Sequence, residues 1–355
     1  MVAVEHLVQT VRDQADACRQ LGSPLYAALL ERCADDIRGG GPAARVLAGH
    51  EDDPGSAALA LRLMGGVHRL VLEGAAPAVA AYYPSVGGHP DPEAAWRAVR
   101  DLFDDQADRL RPLLESAPQT NEVGRSSALV GGLLHVVRAA PLPLRLVEIG
   151  TSAGLNLRAD HFWYSHTDME RSWGPRDSPV RLTGSWAGML PPVDEGLRIV
   201  SREGSDIAPV DPTTADGRLR LLSYVWPDQT DRFARLQAAI EVARRVSVNV
   251  EQRDAVSAVR RVEPVNGHWT VVWHSVMWQY LSAGDQEAVS ERLAELGAAA
   301  TPSAPLAHLF FEPAQRRPDA EYEFLVVLQT WPGGARRILG TGVAHGIPTT
   351  WSAAG

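Results

Sequence analysis

Residues 146–157 read LVEIGTSAGLNL, and this stretch decides the fold. A short apolar run up to Ile149 predicts a β-strand, and glycines at 150 and 154 frame a tight turn that leads into an apparent helix. A strand, a turn and a helix in this order are the start of a βα unit in a parallel sheet. The stretch therefore predicts an α/β domain, in which ligands bind beyond the carboxyl ends of the strands.

One hypothesis for the turn is catalytic. Residues 150–154 fit G-x-S-x-G, the nucleophile elbow of serine hydrolases, with Ser152 as the nucleophile. His345 is then the candidate base, and Asp254 or Glu312 the acid that orients it. About 140 residues that read as helices precede the turn, however, whereas a hydrolase elbow follows several strands.

The other hypothesis is a cofactor-binding loop of the form E-x-G-x-x-x-G. Gly150 lets the chain turn sharply, and Gly154 lets the next helix begin close to a ligand. Backbone N–H groups at the start of that helix favour an anionic group. Glu148 lies just before the turn, where a hydrolase strand is apolar, and it has a role only in this second hypothesis, which we favour.

Composition narrows the class of protein. The 355 residues contain 43 acidic and 34 basic side chains, for a net charge of −9, which argues against nucleic acid as the main substrate. Every basic residue is arginine. Without lysine, neither ordinary pyridoxal-phosphate catalysis nor an ordinary P-loop is available.

Targeting and metal signals are weak. Cys18 and Cys33 form neither a disulfide framework nor a metal-ligand pattern. The first 20 residues lack a signal-peptide core, and the most apolar helical stretch, residues 57–72, carries charged residues. We expect a cytoplasmic protein that does not span a membrane.

The order of apolar patterns predicts two domains, a helical cap over residues 1–118 and an α/β domain over residues 119–355. Apolar residues at helical spacing predict helices at 4–20, 23–38, 56–73, 91–116, 121–140, 231–244 and 285–296. Short apolar runs predict strands at 145–149, 197–201, 246–250, 270–274 and 307–311, and a hairpin at 321–330 and 336–343. An insertion of about residues 160–195 interrupts the α/β domain.

LVEIGTSAGLN resembles the first motif of class I S-adenosylmethionine-dependent methyltransferases. The resemblance covers roughly residues 120–345 and implies a Rossmann-like methyltransferase fold, mostly parallel with an antiparallel C-terminal hairpin. In that family an acid after the second strand binds the ribose, and Asp206 in GSDIAP is similar. An acid after the third strand lies near the adenine, and Asp254, followed by Ala255, takes that position.

More closely, the whole chain resembles the bacterial domain-of-unknown-function family 2332. The phrases that carry this likeness are GSPLYAALLER, AAYYP, QTNEVGRSSAL, LVEIGTSAGLNL, DSPVRL, VWPDQTDRFARL and WHSVMWQYL. This second resemblance implies a methyltransferase-like fold but no established reaction. One departure from the methyltransferase pattern concerns spacing, because Asp206 follows Gly150 by 56 residues rather than about 20. Another is Thr151-Ser152-Ala153, where a central glycine is common.

The resemblance implies a set of site residues. Those expected to bind S-adenosylmethionine are Glu148, Gly150, Thr151, Ser152, Gly154, Asn156, Asp206, Asp254, Ala255, His274, Ser275, Asn121 and Arg125. Candidate catalytic residues are His274, Tyr280 and Glu122, and candidate substrate-pocket residues are Tyr83, His161, Tyr164 and Trp226. No spacing supports a metal site.

The predicted function is methyl transfer from S-adenosylmethionine to a small-molecule acceptor. A serine hydrolase that uses Ser152 is one alternative. A non-methylating enzyme and a non-catalytic binding protein on the same fold are the others. Neither a nucleic acid nor a membrane is an expected partner, whereas a homodimer is.

Overall fold

The computed structural model describes residues 2–54, 57–115 and 117–352. The chain forms two compact units, one of residues 1–120 and 214–237 and the other of residues 121–213 and 238–355. The N-terminal region is helical, and the fold is mixed α/β with one large, mostly parallel sheet. Residues 214–237, predicted to belong to the α/β domain, belong to the helical unit.

Twelve α-helices lie in the described residues. They are α1 (Val2–Gln20), α2 (Pro24–Arg38), α3 (Pro42–Val46), α4 (Leu59–Leu72), α5 (Pro77–Ala80), α6 (Pro92–Asp105), α7 (Ala107–Leu114), α8 (Ser126–Ala139), α9 (Ala215–Ser223), α10 (Thr230–Ala243), α11 (Ala255–Arg260) and α12 (Ala283–Ala299). The single helix predicted over residues 91–116 is two helices, because the backbone leaves the helical conformation at Gln106. The start of the helix predicted over residues 56–73 lies partly outside the described residues.

Local sequence explains where α2 and α6 begin. Asp91 caps α6 by accepting hydrogen bonds from the backbone N–H groups of Glu93 and Ala94, and proline holds the first helical position. Ser23 caps α2 in the same way, with a proline directly after it. Both starts combine an oxygen acceptor with a residue whose fixed φ suits a helix.

Aromatic side chains fill the core of the helical unit. Tyr83 is fully buried, with ring centroids 6.3 Å from Tyr26 and 5.5 Å from His68. Trp226 is 6% exposed and lies 6.4 Å from Tyr26. The structure thus places Tyr83 and Trp226, two predicted substrate-pocket residues, in the packed interior of this unit.

The second unit holds an eleven-stranded sheet within the described residues. Its strands are β1 (Leu144–Ile149), β2 (Trp163–His166), β3 (Ser172–Trp173), β4 (Arg181–Gly188), β5 (Ile199–Asp206), β6 (Asn249–Gln252), β7 (Trp269–Ser275), β8 (Leu306–Ala314), β9 (Glu323–Trp331), β10 (Ala335–Gly342) and β11 (Thr349–Trp351). Their order across the sheet is β3-β2-β4-β11-β10-β9-β8-β7-β1-β5-β6.

Five parallel strands form the part of the sheet that contains the LVEIGTSAGLNL stretch. They run β6-β5-β1-β7-β8, so β5 and β6 lie on one side of β1, whereas β7 and β8, which follow them in the chain, lie on its other side. The connections diverge at the carboxyl ends of β1 and β7. In open α/β sheets this reversal leaves a crevice where ligands bind.

The insertion becomes part of the sheet. Strands β2, β3 and β4 lie within the predicted insertion of residues 160–195, and β4 pairs in parallel with β11 near the chain end. The predicted hairpin is present as the antiparallel pair β9 and β10. The insertion thus adds three strands beyond the hairpin and leaves β5 directly beside β1.

Helices cover both faces of the central strands. Helix α8 packs on β8 and β9. A hydrophobic core joins Val272 and Ile149 to Val259 of α11 and Val289 of α12. Across the described residues, no helix combines the length and apolar character needed to cross a membrane.

Candidate functional site

The loop after β1 is built from unusual backbone conformations. Gly150, Ser152 and Gly154 have φ values of +68°, +54° and +67°. Glycine adopts such values without strain, whereas serine does so rarely. A hydrogen bond of 2.9 Å from the N–H of Gly154 to the carbonyl of Thr151 closes the turn. The loop is therefore tight and defined.

Neither glycine has room for a side chain. A Cβ at Gly150 would lie 2.9 Å from the side chain of Met277, and one at Gly154 would lie 2.9 Å from Cγ2 of Val250. The segment after β7 and strand β6 itself thus close on the loop from two sides.

Glu148, in strand β1 directly before the loop, holds the loop through hydrogen bonds. Its side chain is 2% exposed, and one carboxylate oxygen accepts a hydrogen bond from the Thr151 hydroxyl while the other accepts one of 3.0 Å from Nε1 of Trp273. Burial raises the pKa of Glu148 to about 7, although both hydrogen bonds lower it. The carboxylate therefore links β1, the loop and β7, and its contacts within the protein make it a positioning group.

Asp206 holds the loop from the neighbouring strand. It ends β5, the neighbour of β1, and its two carboxylate oxygens accept hydrogen bonds from the N–H groups of Ser152 (2.8 Å) and Ala208 (2.9 Å). The carbonyl of Ser152 in turn accepts one from Val210 (3.1 Å). The long sequence gap between Gly150 and Asp206 is the insertion, and the two residues lie at adjacent strand ends.

The segment that contains Asn121 and Glu122 contacts the residues directly after the loop, Leu155 and Asn156. Asn121 accepts a hydrogen bond of 2.8 Å from the N–H of Leu155, and Asn156 donates one of 3.3 Å to the carbonyl of Glu122. Asn156 is 2% exposed, and its Oδ1 accepts no hydrogen bond from the described residues. Buried acceptors are normally paired, so this amide oxygen is open to a hydrogen-bond donor from a ligand.

Two other predicted residues, Glu122 and Arg125, belong to the same segment as Asn121. Glu122 accepts a hydrogen bond of 2.9 Å from the N–H of Gly124. Arg125 donates to the carbonyls of Ala344 (3.1 Å) and Ser275 (3.4 Å), the latter at the end of β7. Arg125 thus lies beside the carboxyl end of β7.

Asp254 and Ala255 begin α11. Asp254 accepts a hydrogen bond of 2.8 Å from the N–H of Ser257, and this bond holds the pKa of its carboxyl below the ordinary value. Ala255 is the first residue of the helix and is buried. The structure therefore gives Asp254 the role of a helix cap, at the end of the strand after β5.

His274 lies within a buried polar cluster. It is 2% exposed, and its Nδ1 lies 2.8 Å from Oε1 of Glu312 and its Nε2 lies 3.0 Å from Nε2 of His308. Its ring stacks between those of Trp278 and Phe310, with centroids 5.1 and 5.3 Å away. Both nitrogens of His274, predicted as a catalytic residue, are thus engaged by other side chains.

The other predicted residues, Tyr280, Tyr164 and His161, lie in three different environments. Tyr280 is 67% exposed in a short turn after β7. Tyr164 is fully buried, donates a hydrogen bond of 2.8 Å to the carbonyl of Ala159 and stacks on Trp186 at 5.3 Å. His161 is partly exposed beside Asp160, with 3.8 Å between Nε2 and Oδ2. Tyr164 is therefore part of the core formed by the insertion.

The sequence does not predict two contacts, that of Glu148 with Trp273 and that of His274 with His308. Trp273 and His274 are neighbours in β7, so their side chains lie on opposite faces of the sheet. This alternation is the only sequence signal that could have indicated a contact between Trp273 and Glu148. His308 and Glu312 share one face of β8 because they are four residues apart. Glu312 was considered only as the acid of a hydrolase. Among the described residues, no group of three potential ligands is arranged to hold a metal ion.

The buried carboxyl of Glu148 predicts a pH-dependent stability. The pKa of its side chain is about 7 in the folded protein and 4.5 in the unfolded chain, so the folded protein binds more protons between these values. The free energy of unfolding should therefore fall as the pH rises through this window, by an amount on the order of 3 kcal/mol.

We expect Glu148→Gln to lack this fall. Urea unfolding at pH 5 and pH 8, followed by tryptophan fluorescence, measures it, because eight of the ten tryptophans lie in the second unit. An identical pH dependence in the wild type and the variant would show that Glu148 does not titrate in this window.

Comparisons with known proteins place the chain in a family. No match to the chain is found among the curated proteins. A family model described as "Uncharacterized protein conserved in bacteria (DUF2332)" matches residues 8–351. Because this match covers nearly the whole chain, the protein belongs to the DUF2332 family.

Proposed function

We propose that this protein transfers a methyl group from S-adenosylmethionine to a small-molecule acceptor. The observation that carries the proposal is the loop at residues 150–154, which is held between Glu148 and Asp206 at the point where the strand order reverses. Bound there, the cofactor would supply a methyl group on a positively charged sulfur. Positioning of the acceptor would then provide most of the rate.

Strand order supports a Rossmann-like methyltransferase fold. The five parallel strands, numbered along the chain, lie in the order 3-2-1-4-5. This is the order of doubly wound nucleotide-binding sheets, in which the ligand lies over the loop after the first strand and an acid after the second strand contacts the ribose. Asp206 lies at the end of that second strand, beside the loop.

The donor and acceptor chemistry fits a nucleoside. Asp206 already accepts two backbone hydrogen bonds, but an ionised carboxylate offers about four acceptor positions, so ribose hydroxyls can still bind it. The unpaired Oδ1 of Asn156 suits a hydroxyl or an amino group. Arg125, beside the end of β7, suits the carboxylate of the cofactor.

Substitution at Gly154 tests the loop. Gly154→Val would place a branched side chain at φ +67° and bring its Cβ 2.9 Å from Val250. Backbone strain at positive φ and the steric clash with Val250 would both displace the loop. We therefore expect affinity for S-adenosylhomocysteine, measured by calorimetry, to fall by at least about 100-fold. Gly267→Val is the matched control, because Gly267 also has positive φ but has open space around it. Equal affinity in Gly154→Val and wild type would place the ligand elsewhere.

The structure gives one specific reason to keep the serine hydrolase as a second candidate. Ser152 has φ +54°, and the nucleophile of an elbow also lies on a strained turn. Labelling with a fluorophosphonate separates the two candidates. A methyltransferase predicts no label at Ser152 and little change in turnover for Ser152→Ala, whereas a hydrolase predicts a label and complete loss of turnover.

The remaining expectations follow from the sequence alone. A small-molecule acceptor, a homodimer and a cytoplasmic location stay predictions. Tight binding of S-adenosylhomocysteine without methyl transfer to any of a panel of acceptors would favour a non-methylating enzyme or a binding protein.

A further inference from the structure

A short turn after β7 contacts the loop at residues 150–154 on the side opposite Asp206. Strands β5 and β7 lie on the two sides of β1, and Asp206 ends β5 whereas Ser275 ends β7. Residues 276–278 follow directly and are called the β7 turn below. A Cβ at Gly150 would lie 2.9 Å from both Cβ and Cγ of Met277, so this side chain lies directly against the glycine. Arg125 donates a hydrogen bond of 3.4 Å to the carbonyl of Ser275, so the β7 turn begins beside a second predicted cofactor residue.

The first residue of the β7 turn has a strained backbone. Val276 has a φ of +51°. Few residues other than glycine adopt such a value, and for a β-branched residue it is an outlier. A strained conformation of this kind persists only where the surrounding structure holds it. The β7 turn therefore depends on groups that fix its backbone.

Glu312 and the end of β8 supply those groups. Oε1 of Glu312 accepts hydrogen bonds from the backbone N–H groups of Met277 (3.0 Å) and Trp278 (3.4 Å). The N–H of Val276 donates one of 3.0 Å to the carbonyl of Phe311, the residue before Glu312. All three N–H groups of the β7 turn are thus bound to two consecutive residues of β8.

Strand register places Glu312 at the edge of the sheet where the loop lies. Phe311 lies opposite Ser275, the last residue of β7, so Glu312 is one residue beyond the end of that strand. Across β1 and β7, Glu148 lies opposite Trp273, so the loop begins level with the end of β7. The carboxyl group of Glu312 is therefore near the β7 turn and the loop, and not in the middle of the sheet.

A contribution to stability does not account for Glu312. The residue is 3% exposed, and its Oε2 is buried and accepts no hydrogen bond from the described residues. A buried polar atom without a hydrogen bond lowers stability, whereas an apolar side chain would not. Nδ1 of His274 lies 2.8 Å from Oε1, and the His274 ring stacks on Trp278 at 5.1 Å. The carboxyl group is thus costly to bury and closely packed, which is typical of a residue that positions a site.

We propose that Glu312 is a positioning residue that holds Met277 against Gly150 and thereby fixes one side of the ligand site. The inference rests on the proposed function, in which the loop at residues 150–154 binds S-adenosylmethionine. Asp206 fixes the loop from the β5 side, and Glu312 fixes the facing wall through the β7 turn. Loss of Glu312 releases the strained turn, and the side chain of Met277 then leaves its place against the loop.

Hydrogen exchange of the ligand-free protein tests whether Glu312 holds the β7 turn. In Glu312→Ala, the N–H groups of Met277 and Trp278 lose their acceptor and should exchange at least about 10-fold faster than in the wild type. Glu323→Ala is the matched control, because Glu323 begins β9 at the same edge of the sheet and pairs with Arg316 rather than with the turn. Unchanged exchange of the two groups in Glu312→Ala would overturn the proposal.

Calorimetry with S-adenosylhomocysteine tests whether the β7 turn is a wall of the ligand site. Glu312→Ala should lower the affinity by about 10-fold, and Glu312→Gln, which keeps an oxygen acceptor, should lower it less. Val276→Gly removes the strain at positive φ, so its addition to Glu312→Ala should recover at least about 3-fold in affinity. A general folding defect of Glu312→Ala would not be corrected in this way. The absence of any recovery would therefore contradict a positioning role.

Met277→Ala tests the same wall without removing the buried carboxyl group. It should weaken binding of S-adenosylhomocysteine, and Glu312→Ala should add little to the loss in that background, because Glu312 acts through Met277. Full affinity in Met277→Ala, or additive losses in the double variant, would overturn the inference alone. A wild-type protein that does not bind S-adenosylhomocysteine would instead contradict the proposed function, whatever the exchange of the β7 turn shows.

Discussion

Glu148→Ala is expected to abolish measurable binding of S-adenosylhomocysteine, with a loss of affinity of at least about 100-fold. The substitution leaves the indole N–H of Trp273 and the hydroxyl of Thr151 buried without their acceptor. Each unpaired group costs about 1–3 kcal/mol, and the cost is relieved only by movement of the loop. Because the loop at residues 150–154 would form the cofactor site, the movement removes that site.

Calorimetry on Glu148→Ala, Glu148→Gln and Glu203→Ala measures this effect. Glu203 is the matched control, because it lies on the neighbouring strand β5, is partly exposed and bonds to Ser201 and Arg145 rather than to the loop. Glu203→Ala should bind as the wild type does. Glu148→Gln keeps an oxygen for Trp273 and should retain intermediate affinity. Wild-type affinity in Glu148→Ala would show that the loop does not bind the ligand.

Gly131→Ala is expected to destabilise the second unit by about 3 kcal/mol. Gly131 lies in α8, and a Cβ there would lie 1.9 Å from Cζ2 of Trp351, far inside any van der Waals contact. The indole is 3% exposed on β11, so it has little space into which to move. The added methyl group therefore forces the helix away from the sheet.

Thermal unfolding of two variants tests this packing. Gly66→Ala is the control, since Gly66 also lies inside a helix but the nearest atom to its Cβ is 3.4 Å away. Alanine favours a helix by up to about 1 kcal/mol over glycine, so Gly66→Ala should unfold at the same or a higher temperature. Trp351→Phe added to Gly131→Ala should recover part of the loss. Equal melting temperatures for Gly131→Ala and wild type would contradict the close contact.

Periodicity predicts much of the fold because most elements are regular. The strand ending at Ile149, the hairpin of β9 and β10 and the cap at Asp91 depend on short-range signals, and the structure has all three. Two features depend on contacts between distant residues. Strands β2–β4 join the sheet through β11, and residues 214–237 belong with the helical unit. No local sequence pattern predicts either of these two features.

In the candidate site, too, the sequence identifies residues but does not predict which side chains contact one another. The sequence motif identifies Glu148 and Asp206, but it assigns them to the ligand, whereas in the structure their carboxylates hold the loop. The motif also singles out His274, whose two ring nitrogens are paired with Glu312 and His308 in the structure. Strand register decides which side chains meet, and register across β7 and β8 is fixed by the folded sheet rather than by either strand alone.

Calorimetric titration of the wild-type protein with S-adenosylhomocysteine tests the central claim most directly. The claim is that the loop between Glu148 and Asp206 binds the cofactor of a methyltransferase. We predict saturable binding of one ligand per chain, lost in Gly154→Val and Glu148→Ala and retained in Glu203→Ala. Absence of any heat of binding at millimolar ligand, in protein whose folding is verified, would contradict it.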